Sequence, residues 1–487
     1  MLSVKKYLIL VAQLTIILSW TVTFGQQTII SGGTKLNNKI SNFRILGKLG
    51  DKFLVERYGD DTHIVDVYNS SLKSQLSKQI NLAKDEFIEK IWIQPNQGWI
   101  IRIQHEKDKN YLLASKIDNK IAIAQKALVL DSLEERKDLF EANLRSELSL
   151  NESKIMLYAP IFSQGKIDYF FTRVYDLNMQ LIHQNKITDP TILHEDFEEI
   201  ILLNDGSFVF ITKQKEDKSV YYIAHFKTDG TVSKHQFIPV KNVFKKLAFQ
   251  VDNMHHALFI SGFFGQESTG KKDQNGATEF FTTKLKLSDF SNEFTEIVPF
   301  TENFYFRLTS KPSQKEQPEL FTFYIHSIVP QMDGGAVIFT ESYFKREEAS
   351  LNNSYFSIAG AMNYDYITVY NFNDIVNYHL DSTGRCIQQQ IIRKKQISRN
   401  DGGSFSSFFV HNKQSELSTL FLDEINSDSH LSEAKVIAED ATSSRSIVNI
   451  GNKNILPIVK MSKETAPNEL LIPSYNRNKM QLIKMTF

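Results

Sequence analysis

The chain has 487 residues, 41% of them hydrophobic and 23% charged, and its 56 basic side chains balance its 56 acidic ones. That composition supplies a core and excludes a disordered chain. The missing basic excess excludes sequence-independent nucleic-acid binding, which depends on neutralising phosphates.

The N-terminal stretch MLSVKKYLILVAQLTIILSWTVTFGQQ opens with Lys5 and Lys6, runs through an apolar segment from Tyr7 to Trp20, and closes on Thr23-Phe24-Gly25. This is the layout of a secretory signal peptide and predicts residues 1–25 as the signal, with cleavage before Gln26. The apolar run falls short of the ~20 residues a spanning helix needs. No cysteine follows it, which excludes lipid attachment there, and no later segment approaches spanning length. A mature protein with no transmembrane segment is expected, secreted or periplasmic in the cell envelope. Its one cysteine, Cys386, cannot form an internal disulfide, so a large core or stacked repeats must hold the fold. Cys386 reads as a small apolar residue at a strand start rather than a nucleophile.

Beyond residue 26 a pattern recurs. An aromatic or β-branched run meets Asn or Asp with a small or polar neighbour, and a second alternating run follows. The turn residues are Asn69, Asp118-Asn119, Asp176, Asp229-Gly230, Asp289 and Asp381. Asn, Asp and Gly accept the backbone a tight turn demands, so each junction reads as a hairpin. Upstream of each lies another pair of short apolar runs, as in FEEIILLNDGSFVFITKQKEDK with its turn at Asn204-Asp205-Gly206. The unit is therefore four strands, repeated roughly every fifty to sixty residues, near the period of propeller blades. We expect residues 26–487 to form a single all-β domain, a β-propeller of about seven four-stranded blades with six or eight as alternatives. Two adjacent β-sandwiches are the competing architecture. The seventh blade would come from residues 405–487, with 27–40 as the candidate segment to complete it. Residues 265–279 and 344–371 read as insertions in the fifth and sixth units. Leu130 to Leu148, with Ser132 and Glu135 at capping-box spacing, predicts a short helix between the second and third.

The stretch YITVYNFNDIVNYHLDSTGRCIQQQIIRKKQISRNDGGSFSSFFV and the ending PNELLIPSYNRNKMQLIKMTF resemble uncharacterised secreted propeller-like proteins of Bacteroidota-type bacteria. The matching positions are Asn373-Asp374, Leu380-Asp381, Gly384, Lys394-Lys395-Gln396, Ser398, Asp401-Gly402-Gly403 and Ser406. The resemblance covers about a third of the chain and implies fold and export, not an activity. WD and kelch signatures are absent.

No G-x-S-x-G, H-E-x-x-H or Walker loop occurs, so no catalytic residue, metal ligand or cofactor site is assigned and no cofactor is expected. His105, Glu106 and Asp108 read as a solvated loop. His255 and His256 read as neighbours at a strand start, facing opposite ways. Asp60, Asp61 and Asp401 read as turn acids, without the ligand run of a calcium loop. The most distinctive stretch, Arg393 to Ser407, offers Lys394, Lys395, Gln396, Arg399 and Asp401 as a partner-binding loop, against a purely structural interblade loop. The function expected is a non-catalytic binding or scaffold protein with an envelope protein or glycan as partner. The alternative is a propeller glycan hydrolase or lyase whose acids are dispersed over several blades. Carboxylates of several units converging at the channel would favour the enzyme; a mouth plugged by Phe and Tyr would favour binding.

Overall fold

The computed structural model describes residues 27–37, 40–59, 62–107, 109–134, 143–164, 166–193, 195–266, 276–310, 321–351, 364–413, 416–425, 429–436, 444–449 and 455–487. They form eight antiparallel sheets, the blades of a β-propeller. The first two strands, β1 (Gln27–Ile30) and β2 (Thr34–Lys35), belong to the last blade. Blade 1 is β3 (Asn42–Leu49), β4 (Lys52–Tyr58), β5 (His63–Tyr68) and β6 (Ser74–Ile80). Blade 2 is β7 (Glu86–Ile93), β8 (Gly98–Glu106), β9 (Lys109–Ile117) and β10 (Leu128–Leu133). Blade 3 is β11 (Arg145–Leu148), β12 (Lys154–Ser163), β13 (Lys166–Asp176) and β14 (Leu181–Ile187). Blade 4 is β15 (Asp196–Leu202), β16 (Phe208–Lys213), β17 (Tyr221–Phe226) and β18 (Val232–Phe237). Blade 5 is β19 (Val243–Asp252), β20 (Ala257–Gln266), β21 (Gly276–Lys286) and β22 (Asn292–Pro299). Blade 6 is β23 (Phe323–Pro330), β24 (Ala336–Leu351), β25 (Tyr364–Leu380) and β26 (Cys386–Ile392), with β27 (Gln396–Arg399) added on β25. Blade 7 is β28 (Phe408–Lys413), β29 (Glu416–Leu422), β30 (His430–Lys435) and β31 (Ser444–Asn449). Blade 8 is β32 (Lys463–Ala466), β33 (Glu469–Asn476) and β34 (Lys479–Thr486), closed by β1.

The hairpins obey their turn chemistry. Asn69, Asp118, Asp176, Asp229, Asp289 and Asp381 each accept, through Oδ1, the backbone N–H two residues on. This contact closes the third turn of six blades with a local bond that does not depend on the rest of the fold. Leu72, Ile121 and Met179, three residues past the turn residues Asn69, Asp118 and Asp176, take the left-handed backbone at φ 55°, 64° and 61°. That conformation costs a non-glycine residue about 1–2 kcal/mol. All three side chains are buried in seams between blades, which contributes about 1.5–3 kcal/mol each and offsets the cost.

Each seam between neighbouring blades holds an apolar cluster. At the seam of blades 5 and 6, Phe280 stacks on Tyr378 at 3.9 Å among Phe259, Phe263 and Phe323. Polar side chains also clasp the next blade. Trp99 Nε1 donates to Leu177 O (2.9 Å), and Lys284 Nζ donates to Gly334 O (2.9 Å).

The ring has eight blades, the upper of the alternatives expected around seven. Residues 408–487 carry seven strands rather than four, and β1 supplies the eighth, so the C-terminal region makes two blades. The helix expected over Leu130–Leu148 is also corrected at both ends. Leu130 to Leu133 lie in β10 and Arg145 to Leu148 in β11, because β-pairing with β9 and β12 overrides the leucine spacing; residues 135–142 lie outside the described residues. Residues 344–351 and 364–371 continue β24 and β25 as a paired ribbon, while residues 352–363 and most of the segment 265–279 lie outside the described residues.

Ring closure rests on β1, whose Gln27 to Ile30 pair with Thr486 to Ile483, and on Leu36, buried at the seam of blades 8 and 1. Deleting Gln27–Leu36 is expected to destabilise the ring by at least about 3 kcal/mol, the scale of one lost buried leucine plus an opened sheet edge. A synthetic peptide of that sequence should restore the melting temperature in trans by strand addition. A deletion variant melting with the parent would show that closure does not depend on β1.

Candidate functional site

The first strand of each blade faces the central channel, which opens as a cavity of about 1160 Å³. Its lining comes from seven blades, from Arg44 on β3 to Lys463 and Glu464 on β32. Six of these eight inner strands are bulged where they pair with the second strand, at Leu46, Glu89, Glu198, Lys245 to Leu247, His326 and Thr465. A bulge re-aims side chains and sharpens strand twist, and here it falls repeatedly on or beside charged residues.

Charged side chains of adjacent blades meet on this wall. Glu89 and Lys90 stand on β7, Arg145 and Glu147 on β11, and Glu198 and Glu199 on β15. Lys246 Nζ on β19 lies 3.4 Å from Glu198 Oε2. Across the channel, Lys463 of blade 8 reaches Glu152 of blade 3 at 3.4 Å. Burial holds the Glu89 and Glu147 carboxyls above the ordinary carboxylate range. Glu199 is pushed up to about 7 by burial and by the charges of Glu147 and Glu198, against the pull of Lys246. Burial, together with these acids, raises the Tyr158 hydroxyl to about 12. The wall therefore offers one carboxyl, Glu199, that holds its proton near neutrality, and two more raised above their ordinary range, beside ammonium and guanidinium groups.

The mouth at the turns between first and second strands has a different character. Leu150, Met254, Met332 and Met461, from blades 3, 5 and 6 and the turn before β32, line it and are 66%, 61%, 83% and 38% exposed. Among the described residues no Phe or Tyr ring lines this mouth except Phe409.

The loop Arg393 to Ser407 divides. Lys394 is fully buried and paired with Glu341 on β24, itself fully buried. Tyr324 donates its hydroxyl proton to Glu341 Oε2, and Ser407 Oγ donates to the same oxygen at 2.7 Å. Oε1 is left with the Lys394 ammonium alone. Lys394 Nζ also donates to Gln396 Oε1 (3.1 Å), and buried Gln396 bridges the amide of Ser407 (2.7 Å) and Leu422 O (2.7 Å). Asp401 Oδ1 accepts from the Gly403 amide (2.9 Å), and Gly403 O accepts from Lys460 Nζ (2.7 Å). Gly403 takes φ 70°, and a Cβ there would sit 2.7 Å from the Phe372 ring, so only glycine fits. Lys395 and Arg399 are exposed. Lys394 and Gln396, two of the five residues offered for a partner, thus join blade 6 to blade 7 and have no free surface.

The remaining candidates resolve into structural roles. His105 lies in β8 rather than in a loop, with Nδ1 3.2 Å from Asn110 Oδ1. His255 and His256 occupy the turn between β19 and β20 rather than a strand start, and His255 Nδ1 sits 2.8 Å from Asp252 Oδ2. Burial raises the Cys386 thiol to about 11, and its Sγ donates to Gln388 O at 3.4 Å, so it is a poor nucleophile. Asp60, Asp61 and Asp108 lie outside the described residues. Among the described residues no three His, Cys, Asp or Glu side chains gather as a metal-ligand set.

No family model matches the chain, and no curated protein does. Among solved structures it is similar to an uncharacterised protein of Listeria monocytogenes EGD-e at 10% identity, covering 82% of this chain and 95% of that one with a TM-score of 0.38. It is also similar to the polysaccharide lyase Uly1 at 9% identity, covering 82% and 89% with a TM-score of 0.37. A third likeness, at 8% identity and a TM-score of 0.39, is prolyl oligopeptidase B of Galerina marginata, covering 92% of this chain and 55% of that one. At these values the likenesses carry nothing about chemistry.

Two outcomes follow from these placements. Lys394→Ala leaves Glu341 buried without its cation and should destabilise by about 3–5 kcal/mol, whereas Lys395→Ala should shift stability by less than about 0.5 kcal/mol. The pair Lys394→Met with Glu341→Leu should recover much of the loss; equal melting of both single variants would remove the buried pair from the account. For Glu199, the folded carboxyl binds its proton more tightly than the unfolded one, so its contribution is favourable at low pH and is lost as pH rises from about 4.5 to about 7. Glu199→Gln should therefore leave the melting temperature near the parent's at pH 5 and raise it above the parent's at pH 8. A rise at pH 5 alone would contradict that sign.

Proposed function

We propose that this is a non-catalytic binding or scaffold protein of the cell envelope, exported by its N-terminal segment, that takes a protein or glycan partner at the channel mouth. The observation that carries the reading is the ring of exposed Leu150, Met254, Met332 and Met461 around a charged cavity of about 1160 Å³. Soluble proteins rarely gather large apolar side chains at turn tips around one opening unless something covers them. Methionine adapts its shape to varied partners, and the acids and bases beneath supply orientation. The Lys5-Lys6 start and the apolar run from Tyr7 to Trp20 are what support export; N-terminal sequencing of exported protein starting at Met1 would set export with cleavage aside. The exposed Lys395 and Arg399 add cations at a second place on the surface.

The second reading is a glycan hydrolase or lyase. It is favoured by Glu89, Glu147 and Glu199, which come from three blades to one wall and keep their protons to unusually high pH. Two carboxyls with differing proton affinity are the equipment of general acid and base chemistry on sugars.

One pair of variants separates the two. Met254→Glu with Met332→Glu should abolish capture of envelope partners by the purified protein without lowering its melting temperature, since both side chains already stand in solvent. Glu199→Gln should weaken that capture far less than the methionine pair does. Release of reducing or unsaturated ends from envelope glycans by the parent, lost in Glu199→Gln, would overturn the binding reading in favour of the enzyme.

A further inference from the structure

The hairpin of β24 and β25 outgrows its blade. Among the described residues, β24 pairs with β23 as far as Ser342, and the Tyr343 amide makes the last backbone bond on that side, to Thr322 O at 3.1 Å. The pairing of β24 with β25 continues from Tyr343–Phe372 to Leu351–Tyr364. Beyond its base the ribbon has β27 on the β25 edge along Val369 to Phe372, with Asn400 bonding Thr368 just past it. Among the described residues nothing pairs with the other edge of β24 from Phe344 onwards. At ~3.4 Å per residue this is about 27 Å of edge with no paired strand among the described residues. A two-stranded ribbon is marginally stable by itself, and an open edge is a template for another strand.

The open edge carries Lys345-Arg346-Glu347-Glu348, and all four side chains are exposed or half-exposed. Natural edges are often protected by like charges that repel any incoming copy. Here the order is two cations followed by two anions, and direction decides what it does. A parallel copy in register would set Lys on Lys and Glu on Glu. An antiparallel copy sets the cationic half against the acidic half.

The hydrogen-bond phase selects the register. Because the Tyr343 amide points away from β25, the backbone groups of Lys345 and Glu347 point to the open edge as well. Two copies related by a twofold axis at Glu347 then oppose outward-pointing residues to outward-pointing residues. On one face, Arg346 of each copy stands opposite Glu348 of the other, in the closer, non-hydrogen-bonded pairing. On the other face, the two Glu347 carboxylates meet at the axis, and each lies diagonal to a Lys345 ammonium that offsets their repulsion. Every charge of the segment therefore has an opposite charge within reach across the axis. Within one chain Arg346 already leans on Glu348, at 2.8 Å, with the two side chains 56% and 38% exposed, so the pair is placed on the face where the second copy would present its own.

We propose that two copies of this chain associate through the outer edges of their β24 ribbons, antiparallel about a twofold axis at Glu347. The contact is isologous, as a twofold interface requires. It lies apart from the channel mouth, so it does not rest on the function proposed above, and it would display two channels on one particle. A strand-edge contact of this size falls among small interfaces, so the dimer should dissociate at low concentration and in high salt.

Sedimentation velocity on the mature full-length chain tests this through charge reversal. The parent should show a reversible monomer–dimer equilibrium that weakens as salt rises. Arg346→Glu alone and Glu348→Arg alone each set like charges across the axis and should weaken association at least tenfold. Mixing the two variants should restore it, because the carboxylate introduced at position 346 of one copy then faces the guanidinium introduced at position 348 of the other. The double variant, carrying both reversals, should self-associate like the parent. Circular dichroism of each variant separates loss of pairing from loss of fold. A parent that stays monomeric at every concentration, or single variants that dimerise as well as their mixture, would overturn the proposal.

Discussion

A four-stranded sheet has two faces, and in this protein neither meets another layer within its own blade. Each face is covered only by the next blade round the ring, so no blade is stable until both neighbours are in place. Eight apolar clusters, one in each seam, express that constraint. The abundance of phenylalanine follows from it, because twisted blades leave wedge-shaped gaps that large flat side chains fill. Closure follows as well. A ring with one open seam would expose an apolar face on each side of the gap, and β1 avoids this by tying the start of the chain into the last blade.

The same ring crowds its inner strands. Eight first strands converge where there is least room, and six of them relieve the crowding with a bulge. Bulging turns residues that would otherwise alternate between the seams towards the channel, and it does so at Glu89, Glu198 and Lys245–Lys246. Concentrated charge on the wall is thus a consequence of how the ring is built. Whether it orients a bound partner or moves a proton depends on groups such as Glu199, whose proton affinity the wall itself sets.

What was legible in the sequence was the local chemistry. Asn69, Asp118, Asp176, Asp229, Asp289 and Asp381 each announce their hairpin because the bond they make reaches only two residues along the chain. The channel acids were invisible for the opposite reason. Glu89, Glu147 and Glu199 lie some fifty residues apart and look like ordinary surface glutamates until bulges and blade order bring them together. Blade count was legible only to within one, because this punctuation stops late in the chain: blade 7 has no such Asp or Asn contact among its described residues, and its β30 reads HLSEAK, which alternates weakly. The two ends of Leu130 to Leu148 misled because leucines on two neighbouring strands of different blades mimic helical spacing when read in one line.

The most distinctive motif shows the limit of reading chemistry from residue types. Lys394 and Gln396, flanked by Lys395 and Arg399 and followed by two glycines, look like an anion-binding loop. Their partners are distant in sequence: Glu341 precedes Lys394 by more than fifty residues, and Leu422 lies in the next blade. Once those contacts are in place, Lys394 is a buried cation satisfying a buried acid, Gln396 is a bridge between blades, and Gly403 is the one residue that fits beneath Phe372. The positions that carry the resemblance to other propeller-like proteins are therefore, in large part, positions that lock blade 6 to blade 7. A motif of that kind travels with the fold, whereas the walls and mouth of the channel, where the proposed partner would sit, carry no motif in the sequence at all.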